Sequence, residues 1–181
     1  MNIPSGVESI GSSVFAGCTL THIDVPVNLS DIEFDTFSGA VEGAIVNMPN
    51  VDKFIARFGS AFSKSYKAYV NGEPITDITV PMEGNRYKAY SNCSTIKNVT
   101  IPKNTTCNFE EAFKNCSSIE SVVIEDGHTN DGTTMKDMLR KCTSLKNIVI
   151  PDSMRFIDEY MFAESGLESI TIGSGITNIG Q

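Results

Sequence analysis

The chain has 181 residues, with 14 Lys plus Arg against 22 Asp plus Glu and a formal net charge of −8. That length fits one domain with its own core, and the 40% apolar and 20% charged shares are those of a globular chain. The acidic balance speaks against binding to a phosphate backbone, and no apolar run is long enough to insert in a membrane.

The N-terminus lacks a basic segment followed by an apolar one, so no signal peptide is legible. Instead a repeat begins at once. Pro4 is followed by Val7, Ile10, Phe15 and Cys18, then by Leu20, Ile23, Val25 and Pro26. Pro26 opens a second copy with Leu29, Ile32, Phe37 and Ala40. Further on, Ile96, Val99, Ile101 and Pro102 restate the triplet, as do Leu145, Ile148, Ile150 and Pro151. Ile119, Val122 and Ile124 carry Glu125 in the proline slot, and Leu167, Ile170 and Ile172 carry Gly173 there. The slots recur every 21 to 26 residues. A second landmark is Phe15, Phe37, Tyr90, Phe113, Leu139 and Phe162, and three residues after each stands Cys18, Ala40, Cys93, Cys116, Cys142 or Ser165.

A repeat of this length means coils that bury their apolar faces only against neighbours. The I-x-I alternation predicts a short strand with one buried face, ended by proline. Strands are expected to centre on residues 23–25, 99–101, 122–124, 148–150 and 170–172, in one parallel sheet. The Phe-containing stretch is expected to form a short helical turn, its aromatics stacking into an interior spine. The period breaks over residues 50–75. Val51, Phe54, Ile55 and Phe58 follow helical spacing after the N-cap candidate Asn50, with Gly59 as the stop. Residues 66–70 and 75–80 read as strands around Asn71-Gly72, a hairpin signal. The organisation expected is a first repeat block over 1–49, a helix and hairpin junction over 50–75, and a second block over 76–181. Because residues 175–181 restart the pattern and stop, both ends read as cut from a longer chain.

Residues 3–26, running I-P-S-G-V-E-S-I-G-S-S-V-F-A-G-C and on to D-V-P, resemble a near-consensus copy of the BspA-like leucine-rich repeat family. The likeness covers about residues 3–49 and 75–179; the copies between 81 and 142 lack the I-G step. The fold expected is an α/β repeat solenoid: a right-handed leucine-rich-repeat solenoid with short parallel strands, short helical turns and one helix-hairpin insertion. The resemblance implies a non-enzymatic interaction or adhesion module of an extracellular or cell-surface protein.

No residue set announces chemistry. Cys18, Cys93, Cys116 and Cys142 share one repeat slot with Ala40 and Ser165, which reads as small buried residues and free thiols rather than a metal or redox set. Cys107 has no repeat partner and reads as exposed. His22 and His128 stand far from any metal-like spacing, and no cofactor motif occurs. Residues 125–132 hold three extra residues and read as a solvated insertion rather than a cation loop. Five N-x-S/T sequons, at Asn28, Asn92, Asn98, Asn104 and Asn115, follow from the polar turns of the repeat.

What remains is the strand face. Alternation points one row outward through His22, Asp77, Asn98, Ser121, Asn147 and Ser169, and another through Asp24, Thr79, Thr100, Val123, Val149 and Thr171. The binding residues expected are His22, Asp24, Asn98, Thr100, Ser121, Val123, Asn147 and Val149, with Val123 and Val149 the apolar centre. The partner expected is a protein or other macromolecular surface ligand, or a second copy of the chain. The rival reading is a structural spacer or assembly subunit.

Overall fold

The structure, a computed structural model, describes residues 1–180. Its strands in chain order are β1 (Ser9–Ile10), β2 (His22–Asp24), β3 (Asp31–Ile32), β4 (Ala44–Asn47), β5 (Tyr66–Val70), β6 (Glu73–Pro74) and β7 (Asp77–Thr79). They continue with β8 (Asn98–Ile101), β9 (Ser121–Ile124), β10 (Asn147–Ile150), β11 (Phe156–Ile157), β12 (Ser169–Ile172) and β13 (Asn178–Ile179). The coils stack as a solenoid. Alternation works as expected on β8, β9 and β10, where every second residue is buried.

The main face is not one continuous sheet. It runs as three ladders: β2-β4-β5 parallel with β6 added antiparallel, then β7-β8-β9 parallel, then β10-β12 parallel. Opposite it, the V-x-x-I corners pair as β1-β3 and β11-β13.

At the six spine residues expected from the sequence the helical turns do not form, and the backbone shows why. Ser13, Asp35, Lys88, Glu111, Asp137 and Tyr160 stand two positions before each spine residue, all with φ between 53° and 58°. A residue at positive φ breaks any right-handed helix, so each segment is a chain of turns. The junction is corrected likewise. Asn50 does cap, its Oδ1 accepting from the Asp52 N–H at 3.1 Å. It opens only a 3-10 turn at Val51–Lys53, followed by another at Phe58–Ala61. Nor is the hairpin an insertion. β5 continues the parallel sheet in register with β4, and only the two residues of β6 turn back through Asn71 and Gly72, both at positive φ. Residues 50–75 are therefore a coil of the solenoid.

The spine forms with one addition to its membership. Phe15 and Phe37 stack at 5.6 Å, and Tyr90 and Phe113 at 4.6 Å with rings 3° apart. Between them Phe62 continues the column, 5.3 Å from Phe37 and 4.4 Å from Tyr66. Its place in the irregular coil hid it from the repeat alignment.

All five cysteines are free. Cys93, Cys116 and Cys142 are buried, and so, against expectation, is Cys107, whose thiol donates to the Pro81 carbonyl at 3.1 Å. Cys18, expected buried, is exposed because no coil covers its side of the first turn. Burial raises the thiol pKa of Cys93, Cys107 and Cys116, and pushes Cys142 up to about 12. Thiolate is the reactive form, so titration of the native protein at neutral pH should label Cys18 alone at first. The same titration in denaturant should reach all five. Fast labelling of two or more native thiols would contradict this packing.

Candidate functional site: the strand face and its break

In register, β7, β8 and β9 set Asp77, Asn98 and Ser121 side by side, and Thr79, Thr100 and Val123 beside them. On β10 and β12, Asn147 neighbours Ser169 and Val149 neighbours Thr171. The expected residues Asn98, Thr100, Ser121 and Val123 thus meet on one ladder. His22 and Asp24 lie on another, with Ile45 and Asn47 next to them and Lys67 and Tyr69 beyond. Val46, Met48 and Pro49 repeat the I-x-I-P end of the triplet, with Gly43 in the leucine slot, and could have revealed that coil in the sequence.

Two polar pairs brace the face. Asn47 Nδ2 donates to Asp24 Oδ1 at 2.8 Å, and Asn98 Nδ2 to Asp77 Oδ1 at 2.8 Å. Hydrogen bonds from Thr76 and Asn98 hold the Asp77 carboxyl below the usual carboxylate range.

Val123 and Val149 are 50% and 61% exposed. They flank the break in the sheet: among the described residues no main-chain bond joins β9 to β10. Ser121 N–H donates to Lys97 and Glu125 N–H to Ile101, so the intervening amides of Val122 and Ile124 point toward β10. By the same alternation on β10 and β12, the amides of Asn147 and Val149 point back toward β9. A cleft of about 410 Å³ lies here, lined by residues 120–124 and 147–149.

The cause lies in residues 125–132, which are mostly exposed, as expected of a solvated insertion, but turn two side chains inward. His128 and Asn130 are buried, 0% and 2% exposed. His128 takes the corner slot that Val7, Leu29 and Met154 fill in other coils. Asn130 replaces a strand: its Nδ2 donates to Phe156 O at 2.8 Å, and its Oδ1 accepts from the N–H groups of Arg155 and Phe156. The longer coil therefore loses main-chain pairing at its strand and at its corner. It keeps pairing on the turn side, where Phe113 N–H reaches Met138 O and Leu139 N–H reaches Met161 O.

Both ring nitrogens of His128 lack a hydrogen-bond partner, and burial depresses its pKa. The unfolded chain then holds the proton more tightly, so stability is full above the ordinary imidazole range and falls as pH drops through it. His128→Met should raise stability by about 1–3 kcal/mol, the cost of an unpaired buried polar group. It should also flatten the stability profile below about pH 6.5, where a free imidazole titrates. Melting curves of both proteins from neutral to acid pH check this; parallel profiles would contradict it.

A stack of short parallel coils with an open strand face is a repeat scaffold, shaped for contact along its length. Among the described residues no group of three His, Cys, Asp or Glu side chains is placed to hold a metal, and no helix is long and apolar enough to cross a membrane. The chain belongs to the BspA-type leucine-rich repeat family, whose repeat region matches in six copies over residues 1–79 and 65–181. A leucine-rich repeat protein from Bacteroides ovatus is similar, at 26% identity and a TM-score of 0.57, over 99% of this chain and 47% of that one. A leucine-rich repeat protein from Eubacterium ventriosum follows at 18% and 0.46, over 100% and 62%. A leucine rich cell surface protein from Faecalibacterium prausnitzii stands at 17% and 0.45, over 98% and 52%. The chain spans about half the length of the first of these proteins. No curated protein matches it.

Proposed function

We propose that the chain is a non-enzymatic protein-interaction module of a surface-associated protein, docking through its strand face with Val123 and Val149 at the centre. The observation that carries this is the coincidence of an exposed apolar pair with the ladder break. A partner there gains apolar burial and finds main-chain donors and acceptors that no neighbouring strand uses. His22, Asp24, Asn98, Thr100, Ser121 and Asn147 supply the polar surround. Family membership supports both the interaction role and the surface location.

Peptides selected against the protein from a displayed library provide the test. Replacing Val123 and Val149 together by Lys should weaken most of them by roughly tenfold or more while the melting temperature holds, as expected for a buried contact centre. Selected peptides that bind the double variant as well as the parent would place the contact elsewhere. The assembly reading rests on a different observation: Ile170, Ile172 and Ile179 on the last coil are 41%, 44% and 59% exposed, an apolar surface suited to stacking. Concentration-dependent sedimentation, abolished by charge at Ile172, would favour it.

A further inference from the structure

The turn side carries a second surface, remote in the repeat from the strand face. Three residues before the spine, most coils place a polar side chain: Ser12, Glu110, Lys136 or Glu159. Two coils place an aromatic there, Phe34 and Tyr87. Between these two coils runs the irregular one. Asp35 N–H donates to Ser60 O on one side of it, and Gly59 N–H to Lys88 O on the other. The intervening strip therefore holds Gly59 and Ser60, and its floor is low. Gly59 is obligatory for this, since a Cβ there would stand 2.2 Å from the Ser91 carbonyl oxygen.

Two adjoining clefts result. One of about 260 Å³ is lined by Glu33, Phe34, Arg57, Ser60, Tyr87 and Lys88. The other, of about 250 Å³, shares Phe34, Ser60 and Lys88 and extends over Ser63, Asn92 and Asn115. Phe34 is 54% exposed, without a packing role that explains an aromatic there. Lys88 Nζ sits 5.7 Å from the Phe34 centroid and 5.1 Å from the Tyr87 centroid, held by Glu111 at 3.3 Å. Arg57 makes no ion pair among the described residues. The amides are fixed in place: Asn92 Nδ2 donates to Gly59 O and Phe62 O, and Asn115 Nδ2 to Asn92 Oδ1.

We infer that these joined clefts bind a neutral oligosaccharide. The charges that line them, Glu33, Asp35 and Glu111 against Arg57, Lys88 and Lys114, cancel in a chain whose net charge is −8. A cancelled lining gives no net attraction to an acidic or a basic peptide. It does offer closely mixed donors and acceptors, which is what vicinal hydroxyls require. The exposed Phe34 and the half-buried Tyr87, with the Lys88 ammonium over one face of each ring, supply flat apolar edges and platforms for the C–H faces of sugar rings. The two clefts, sharing one aromatic and one lysine, give room for consecutive sugar units.

Calorimetric titration of the full chain with cellohexaose, xylohexaose, mannohexaose and maltohexaose tests this. At least one should bind, and Phe34→Ala and Tyr87→Ala should each weaken it by roughly tenfold, the scale of a lost aromatic contact. Phe34 is exposed, so the Phe34→Ala protein should melt as the parent does, which separates lost binding from lost folding. The Val123 and Val149 double Lys variant should bind the sugar normally, which separates this site from the strand face. No binding by any of the four sugars would overturn the inference. So would equal binding by the Phe34→Ala protein, or binding of hexaglutamate or hexalysine in their place.

Discussion

Truncating Phe113 to Ala is expected to cost about 3–5 kcal/mol, the range for a buried aromatic whose cavity cannot collapse. Phe113 is fully buried, its ring lies nearly parallel to that of Tyr90, and its carbonyl accepts from the Cys142 thiol at 3.3 Å. Neighbouring coils on both sides are locked to it through main-chain bonds, so they cannot close on the void without shearing their ladders. Urea unfolding of parent and variant reads the loss directly. A loss below about 1 kcal/mol, typical of mild changes, would mean the spine register is wrong.

Replacing Asn130 by Leu should have the second large effect. The amide of Asn130 serves two N–H groups and one carbonyl of the next coil, where main-chain pairing has been lost. Leucine fills similar space and bonds none of them. Each buried group left unpaired costs about 1–3 kcal/mol, so the variant should be destabilised well beyond an ordinary surface change. Asn130→Asp should recover part of this, since a carboxylate can accept from Arg155 and Phe156 but cannot donate to the Phe156 carbonyl. Equal stability of the Leu and Asp variants would refute the strand-mimic role.

These two residues mark what the sequence could and could not reveal. Phe113 was legible because the repeat returns an aromatic at a fixed offset, and burial at that offset is forced by stacking. The strand face was legible for the same reason: period-two alternation decides which side is buried wherever coils are regular. Asn130 was not. It lies where the period lengthens, and composition marks an acidic, glycine-containing stretch as solvated, although tertiary closure buries His128 and Asn130. Helical spacing over Val51, Phe54, Ile55 and Phe58 misled for a related reason. Phe54 and Phe58 do face the core and Ile55 packs against it, while Val51 is exposed; the coil has only a short span to cross, and 3-10 turns cover it. The turns before each spine residue carried no residue-type signal, because Ser13, Asp35, Lys88, Glu111, Asp137 and Tyr160 share a backbone conformation and no chemistry. Phe34 and Tyr87 each stand three residues before a spine aromatic, a position the repeat does not mark as special, and only the low floor between them makes a cleft.

The claim on which the strand-face reading depends is the interruption between β9 and β10, and amide hydrogen exchange measures it residue by residue. The amides of Val122, Ile124, Asn147 and Val149, which would bridge a continuous sheet, should exchange far faster than those of Val99, Ile101, Ile148 and Ile150, which lie inside intact ladders. Equal protection of both sets would show a continuous sheet, and with it the cleft and its role as the contact centre would fall.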